Sequence, residues 1–488
     1  MAKIELPKVL PYDKTSAKSI FEYSKGLLTK TLRDFVWKGY EIKKGKGGLG
    51  QMVENIYFFL DTNSNPASDF SEAGLELKCT PLKKSKSDEY LIKERLVCNM
   101  INYCEVVNQD FEHSHFYLKC QLMLILFYLH KAEKGNLDLQ FLYSLLWKLP
   151  EKDLLIIRHD YEVIINKIKE GKAHELSEGD TDYLAACRKG QKGDKLKPQP
   201  YSDIMAPGRA FSLKPTYMRT LLDYINNSHE DAIANIELPE RTKSIFSDKD
   251  LNENNIEELI LSRMRKWYGK SISEIMAYYN PTVNIEDKAI NYRAACAVIS
   301  NGIFGCGKKH YSSIESSDEF KKSGLRLKTI PEYKSGKIKE HMSYENIDYE
   351  EIYANDNWYD STTYELFTSR FLFVEFQHPT INSGSFVGKK GELILKRAFF
   401  WTMPQDDLDI AEEYWKDIRT HVLANEIRLE KFWSVTWSEH NGKMFHVRPK
   451  GTKTSYKNAA VNPNGGKADK YCYWFNKKYV QEIIKDNE

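Results

Sequence analysis

No Cys-x-x-Cys pair occurs in this chain. The eight cysteines stand apart, at positions 79, 98, 104, 120, 187, 296, 306 and 472. That spacing excludes a zinc knuckle or a dithiol redox motif, and scattered thiols suit a reducing compartment. Long apolar runs are missing too. The longest, Leu122 to Leu129, is far too short to cross a bilayer. The opening MAKIELPKVL lacks the apolar centre of a signal peptide. A cytoplasmic protein with no membrane partner is expected. Charge bias is also absent: 71 Lys and Arg face 69 Asp and Glu, a formal charge of +2. This excludes a uniformly basic coat for nucleic acid but not a basic cleft on a balanced body. The glycine-rich stretch at 46–50 is not a Walker loop, because no Gly-Lys-Ser/Thr follows at the required spacing.

What is present is an ordinary globular composition, 41% apolar and 29% charged, in 488 residues. Two or three domains are expected. Aromatics reach 13%, which suits packing and polar interfaces without naming a ligand.

Residues 68–81, SDFSEAGLELKCTP, carry the most chemistry. From Gly74 to Lys78 polar and apolar residues alternate, the period of a half-buried strand. Leu75 and Leu77 then face a core, while Glu76 and Lys78 share the other face. The Asn/Ser-rich segment and Pro66 before it suit a loop that delivers Asp69 beside the strand. Two carboxylates and an ammonium on one rigid edge suit metal-assisted phosphodiester hydrolysis. Carboxylate oxygens are what Mg²⁺ prefers, and Lys78 can orient water or neutralise charge on phosphate. The tripeptide alone reads more readily as a solvated strand face; the flanking blocks decide.

Those blocks resemble the MutH family, which comprises the mismatch-repair nickase MutH and related GATC-cutting type II restriction endonucleases. The carrying residues are Asp69, Ala73 to Lys78 and Thr80-Pro81. Upstream lie Lys46-Gly47-Gly48-Leu49-Gly50 and Glu54, and downstream Glu112, Ser114 and Lys119. The resemblance implies a mixed α/β, restriction-endonuclease-like fold of the PD-(D/E)xK type. It implies Glu54, Asp69, Glu76, Lys78 and Lys119 as the catalytic set, with Mg²⁺ on Asp69, Glu76 and the Leu77 carbonyl. Lys46 and Gly47 match a loop that touches DNA. A base-reading loop is expected at 185–190, with Arg188 and Lys189 as readers; arginine on a guanine edge is the chemistry expected there. MutH has an arginine where Cys187 stands. Arg209, Ser212 and Lys214 match a second block. MutH has a methylation-sensing tyrosine where Ser212 stands, so cutting here is expected to tolerate methyladenine. His113 and His115, flanking Ser114, suit a strand edge or a phosphate contact better than a metal pair.

Helices are expected over 15–40, strands over 94–103 and 114–130, and a strand, proline turn and amphipathic helix over 141–170. The polar stretch 226–255 reads as the domain junction, dividing a catalytic domain (1–230), a linker (231–255) and a second domain (256–488).

The second domain repeats the first in degraded form. FSEAGLELKCTP (70–81) pairs with FKKSGLRLKTIP (320–331) at an offset of 250. LLWKLPEKDL (145–154) pairs with FFWTMPQDDL (399–408) at 254. RAFSLKPTYM (209–218) pairs more loosely with CYWFNKKYV (472–480) at 262. Glu76 then falls on Arg326, Asp69 on Glu319, and Glu54 near Cys296. Arginine cannot ligate Mg²⁺, so this copy is expected to be catalytically silent. Arg448, Pro449 and Lys450 resemble MutH's base-reading Arg-Pro-Lys, which implies an effector domain that binds a second DNA site. The whole reads as a bacterial GATC-directed restriction endonuclease acting on double-stranded DNA. A dimer on DNA, a monomeric free form and a cognate DNA methyltransferase complete the expectation. A partner-activated repair nickase and a non-cleaving DNA-binding protein are the alternatives.

Overall fold

The computed structural model describes residues 7, 9–37, 48–60, 67–85, 88–131, 133–190, 194–228, 232–235, 244–279, 295, 298–306, 313–383, 393–428 and 436–488. The chain forms two compact units. One is Met1–Asn255 together with Lys321–Gly324; the other is Ile256–Phe320 with Leu325–Glu488.

The first unit is built on strands β1 (Glu76–Lys84), β2 (Tyr90–Ile92), β3 (Leu96–Met100), β4 (Leu122–Leu129), β5 (Gln140–Lys148), β6 (Leu184–Arg188), β7 (Lys197–Gln199), β8 (Ser202–Ala206), β9 (Arg209–Leu213) and β10 (Ala232–Asn235). Its helices are α1 (Ala17–Ser24), α2 (Leu49–Ile56), α3 (Tyr103–Val106), α4 (His115–Cys120), α5 (Glu151–Lys169), α6 (Pro215–Ser228) and α7 (Asp248–Glu253). The main sheet runs β10-β5-β4-β1-β2, with β1 parallel to β4 and β4 antiparallel to β5. β4 is apolar throughout and fully buried from Met123 to Phe127, as a strand covered on both faces must be. Leu75, Leu77, Leu124 and Leu126 pack with Ile20, Phe21, Val53 and Ile56 of α1 and α2. A second, antiparallel sheet runs β3-β9-β6. The expected alternation over 74–78 is therefore present, with both leucines in the core.

Four expectations change. Residues 114–130 are not one strand. Ser114 Oγ accepts from the Tyr117 N–H at 3.1 Å and starts α4, so Lys119 rides on a helix and β4 begins at Leu122. The hydroxyl cap stands just before the apolar stretch and sets its first part in a helix. Of 94–103 only β3 is extended, because Asn102 caps α3. Residues 185–187 lie within buried β6 rather than in a loop. The expected linker contains β10, which pairs parallel to β5, and α7. Few apolar residues lie there, but Ile245, Phe246 and Leu251 are all buried, and the Leu251 carbonyl lies 3.1 Å from the His159 ring of α5.

The second unit contains β11 (Arg326–Glu332), β12 (Met342–Asn346), β13 (Phe371–Gln377), β14 (Ile394–Trp401), β15 (Phe445–Pro449), β16 (Ala460–Val461), β17 (Lys467–Ala468) and β18 (Tyr471–Phe475). β11 runs parallel to β13, and β13 antiparallel to β14. A separate antiparallel sheet runs β12-β18-β15. These orders and senses match β1-β4-β5 and β3-β9-β6. Each long helix follows a proline cap, Pro150 for α5 and Pro404 for Gln405–Leu423. One side-chain bond recurs as well. Tyr217 donates to Asp153 at 2.8 Å, and Tyr479 donates to Asp407 at 2.6 Å.

Candidate active site

Asp69 is delivered by a tight turn. Phe70 and Leu75 exchange backbone hydrogen bonds of 2.9 and 3.2 Å around the 3₁₀ turn Ser71–Ala73. Gly74 closes that turn at φ 61°, the left-handed conformation glycine takes without strain. The turn brings Asp69 back beside the start of β1. Its Oδ2 accepts from the Leu77 N–H at 2.9 Å, and its own N–H donates to Glu76 Oε2 at 3.3 Å. The two carboxylates are thus stapled through the backbone.

Glu76 Oε1 is held by two ammonium groups, Lys78 Nζ at 2.7 Å and Lys119 Nζ at 3.5 Å. Lys78 also donates to the Cys98 carbonyl of β3 at 2.9 Å, which fixes its reach. Burial alone would lower the Lys78 ammonium, but the Glu76 carboxylate at 2.7 Å outweighs it and holds it above its ordinary value. Glu54 lies on α2, whose Leu49, Val53 and Ile56 face the core. Burial, then the Asp69 and Glu76 charges, push the Glu54 carboxyl up to about 7. Asp69 is raised by burial and by Glu76, against the opposing Leu77 N–H.

Three carboxylates therefore face two ammonium groups in a half-buried cluster. Their mutual repulsion is a charge excess that a hard cation relieves. Among the described residues no group of three His, Cys, Asp or Glu side chains is close enough to enclose a metal ion. Asp69 and Glu76 supply the carboxylate oxygens that a hard cation would take here.

Sequence reasoning missed the Cys98 carbonyl and the Cys98 and Cys120 thiols. They reach Lys78 only because β3 and α4 pack there, and no local pattern signals that. The other matched residues separate. Glu112 is on the surface, paired with Arg158. His113 is exposed and paired with Asp110 at 2.8 Å. Ser114 is the α4 cap and His115 lies in α4 itself.

Arg209, Ser212 and Lys214 are buried, with their polar ends on backbone carbonyls. Arg209 donates to Ala186 at 2.7 Å, Ser212 to Ala185 at 3.4 Å, and Lys214 to Thr181. They brace β6 against β9 instead of reaching outward. Arg188 is half-buried at the end of β6 and Lys189 is exposed. Lys46 and Gly47 lie outside the described residues, as does Cys296.

In the second unit, Arg448 pairs with Glu439 at 2.6 Å and lies over the Trp474 ring at 4.8 Å; Pro449 is half-buried and Lys450 exposed. Cys187 is the strand partner of Ala210, and Arg448 of Cys472. At the 262-residue offset of the two tyrosines, Arg448 thus occupies the Cys187 position. The counterpart of Asp69 differs from expectation. The Leu327 N–H donates to Glu315 at 3.3 Å, not to Glu319, which is fully buried. Helix Asp318–Ser323 replaces the three-residue turn of the first unit, so the acid must come from further upstream.

The family model described as the DNA mismatch repair enzyme MutH matches residues 58–160. The MutH proteins of Buchnera aphidicola and Shewanella woodyi are 23% and 24% identical, over 35% and 37% of this chain and 79% and 78% of their own lengths. The type II restriction enzyme Sau3AI of Staphylococcus aureus is 32% identical over 92% of this chain and 94% of its own. With a relative matched almost end to end, and Asp69, Glu76 and Lys78 gathered within the MutH-matched segment, this chain belongs to the MutH-like type II restriction endonucleases, the family of Sau3AI.

Proposed function

We propose that this restriction endonuclease cleaves double-stranded DNA at GATC with Mg²⁺, and that its second unit binds another copy of the site as an effector. The observation that carries the cleavage reading is the Asp69–Glu76 staple with Lys78 on Glu76. Asp69, Glu76 and the Leu77 carbonyl are the metal ligands, with Glu54 behind them. Bound Mg²⁺ supplies polarisation of the scissile phosphate and a more acidic water. Lys78, held by Cys98, places its charge where the pentavalent phosphate gathers negative charge. Lys119 adds a second ammonium beside Glu76 and contacts a neighbouring phosphate. Arg188 and Lys189 of the first unit, and Arg448 and Lys450 of the second, contact the DNA.

The second-unit reading rests on its matching strand topology together with its changed acids, which we attribute to duplication and loss. One active copy cuts one strand, so double-strand cleavage calls for dimerisation on DNA or two successive nicks. A methyltransferase of the same specificity protects the host DNA. Ser212 is buried between β6 and β9 and ends on the Ala185 carbonyl, so its side chain does not meet adenine, and tolerance of methyladenine rests on the family resemblance alone. One assay tests the whole: supercoiled plasmid with Mg²⁺, wild type against Glu76→Ala. Linear products with GATC-derived ends support the reading. Open circles alone point to a nickase, and unchanged plasmid with retained binding points to a passive reader.

A further inference from the structure

The position that holds Glu76 in the first unit holds Arg326 in the second, and its surroundings are inverted in charge. Arg326 Nε donates to Ser369 Oγ at 3.0 Å, Nη1 is paired with Glu345, and Nη2 makes no hydrogen bond to the described residues. Lys328 stands where Lys78 does and makes the same backbone contact, Nζ to the Ser343 carbonyl at 2.9 Å. Its ammonium also lies over the Tyr344 ring, 4.4 Å from the centroid, and no carboxylate is bonded to it among the described residues. Lys450 follows the end of β15, where Arg448 is level with Cys472 of β18 and, across it, with Asn346 of β12 next to Glu345. Thus three cations, Arg326, Lys328 and Lys450, gather against two carboxylates, Glu345 and Glu315. In the first unit three carboxylates gather against two cations. Lys328 is pulled below its ordinary value by burial, with Arg326 and Lys450 adding to the fall against Glu345 and Glu315. Glu345 is about half exposed, so its pairing with Arg326 is weak and exchangeable.

We propose that Arg326, Lys328 and Lys450 form a phosphate site that takes one phosphodiester of a DNA backbone without any metal ion. The guanidinium stands where the first unit gathers its carboxylates for a cation, and its planar fork matches two phosphate oxygens. The retained lysine supplies the second charge. This site rests on the reading that the second unit binds DNA, and it makes that binding independent of divalent cations.

The test uses the full-length protein and a fluorescent GATC duplex. In calcium, which is used to suppress cleavage, two duplexes per chain are expected; a single equivalent would remove the two-site reading and this site with it. In EDTA, Arg326→Gln is expected to weaken one equivalent about tenfold and to reduce the slope of log K against log salt by about one. Arg326→Lys keeps the slope while losing part of the affinity. Lys328→Gln is read in the same way should Arg326→Gln alter the melting profile. If two equivalents bind and neither Arg326→Gln nor Lys328→Gln changes affinity or slope in EDTA, the phosphate site is wrong while the second-unit reading stands. Protection of Arg326 variants and wild type that differs only toward inorganic phosphate, with DNA binding unchanged, also overturns it.

Discussion

The Leu77 N–H donates to the Asp69 carboxylate at 2.9 Å. This one bond sets the site, because it fixes the loop-borne acid against the strand that carries Glu76 and Lys78. Replacing Asp69 by Asn keeps an acceptor for Leu77 but removes the charge. Cleavage is expected to fall about 10²–10³-fold, the loss of several kcal/mol of metal-derived stabilisation. Duplex binding in EDTA should be unchanged. Plasmid cleavage rates and fluorescence anisotropy, measured side by side, check both halves.

Lys78 raises a different expectation. It neutralises Glu76 in the resting site, and in the proposed mechanism its charge also faces the phosphate. Lys78→Met removes both effects. Mg²⁺ should bind as tightly or more tightly, since a competing cation is gone, yet the rate should drop about 10²–10³-fold. Cleavage titrated against Mg²⁺ separates the two: a lower half-saturation with a lower plateau is the expected pattern. A lost plateau rescued by high Mg²⁺ would assign Lys78 to metal binding instead.

Much of this site was legible in the sequence, for identifiable reasons. The two-residue period of 74–78 put Leu75 and Leu77 in the core and Glu76 with Lys78 opposite, because strand geometry makes that division obligatory. Glu54 carried no local signal and was identified through resemblance. Lys119 was assigned to the right site on the wrong element: apolar content continues across 116–129, and only the Ser114 cap marks the helix. Glu315 was displaced by four residues, about one helical turn, since aligning on Gly324 assumes turns of equal length. Arg209, Ser212 and Lys214 matched a family block, but sequence cannot tell a polar residue that faces DNA from one that braces two strands.

Glu54 ties stability to pH. Its carboxyl is raised from the ordinary range to about 7 by burial and by Asp69 and Glu76. A raised pKa means the folded state holds a proton that the unfolded chain has released. The associated stability is full below about pH 4.5 and is lost as pH rises through about 7. Metal-free protein should therefore lose stability across that window, and Glu54→Gln should recover on the order of 1 kcal/mol at pH 8, after allowance for its partial exposure. Denaturant unfolding in EDTA at pH 5 and pH 8 measures the difference. Equal slopes with pH in wild type and variant would place Glu54 outside the repelling cluster.

The recurring tyrosine–aspartate bond gives a test of whether each unit is stabilised internally by the same device. Tyr217 is fully buried and donates to Asp153; Tyr479 is nearly so and donates to Asp407. Both aspartates lie in the first turn of the long helix that follows a proline. Tyr→Phe deletes only the hydroxyl, leaving buried Asp153 or half-buried Asp407 one donor short, at about 1–3 kcal/mol. Asp153 keeps a second donor in Lys322 at 2.7 Å, whereas Tyr479 supplies the one side-chain donor to Asp407 among the described residues. Tyr479→Phe should therefore destabilise more than Tyr217→Phe. Neither should alter the cleavage rate per folded molecule, since the hydroxyls end on Asp153 and Asp407 and not on Glu54, Asp69 or Glu76. Paired unfolding curves and active-site-normalised rates check this. Equal losses would mean that Lys322 lends Asp153 no support, and a fall in the normalised rate for Tyr217→Phe would mean that α5 positions the catalytic strand more directly than its packing against the sheet requires.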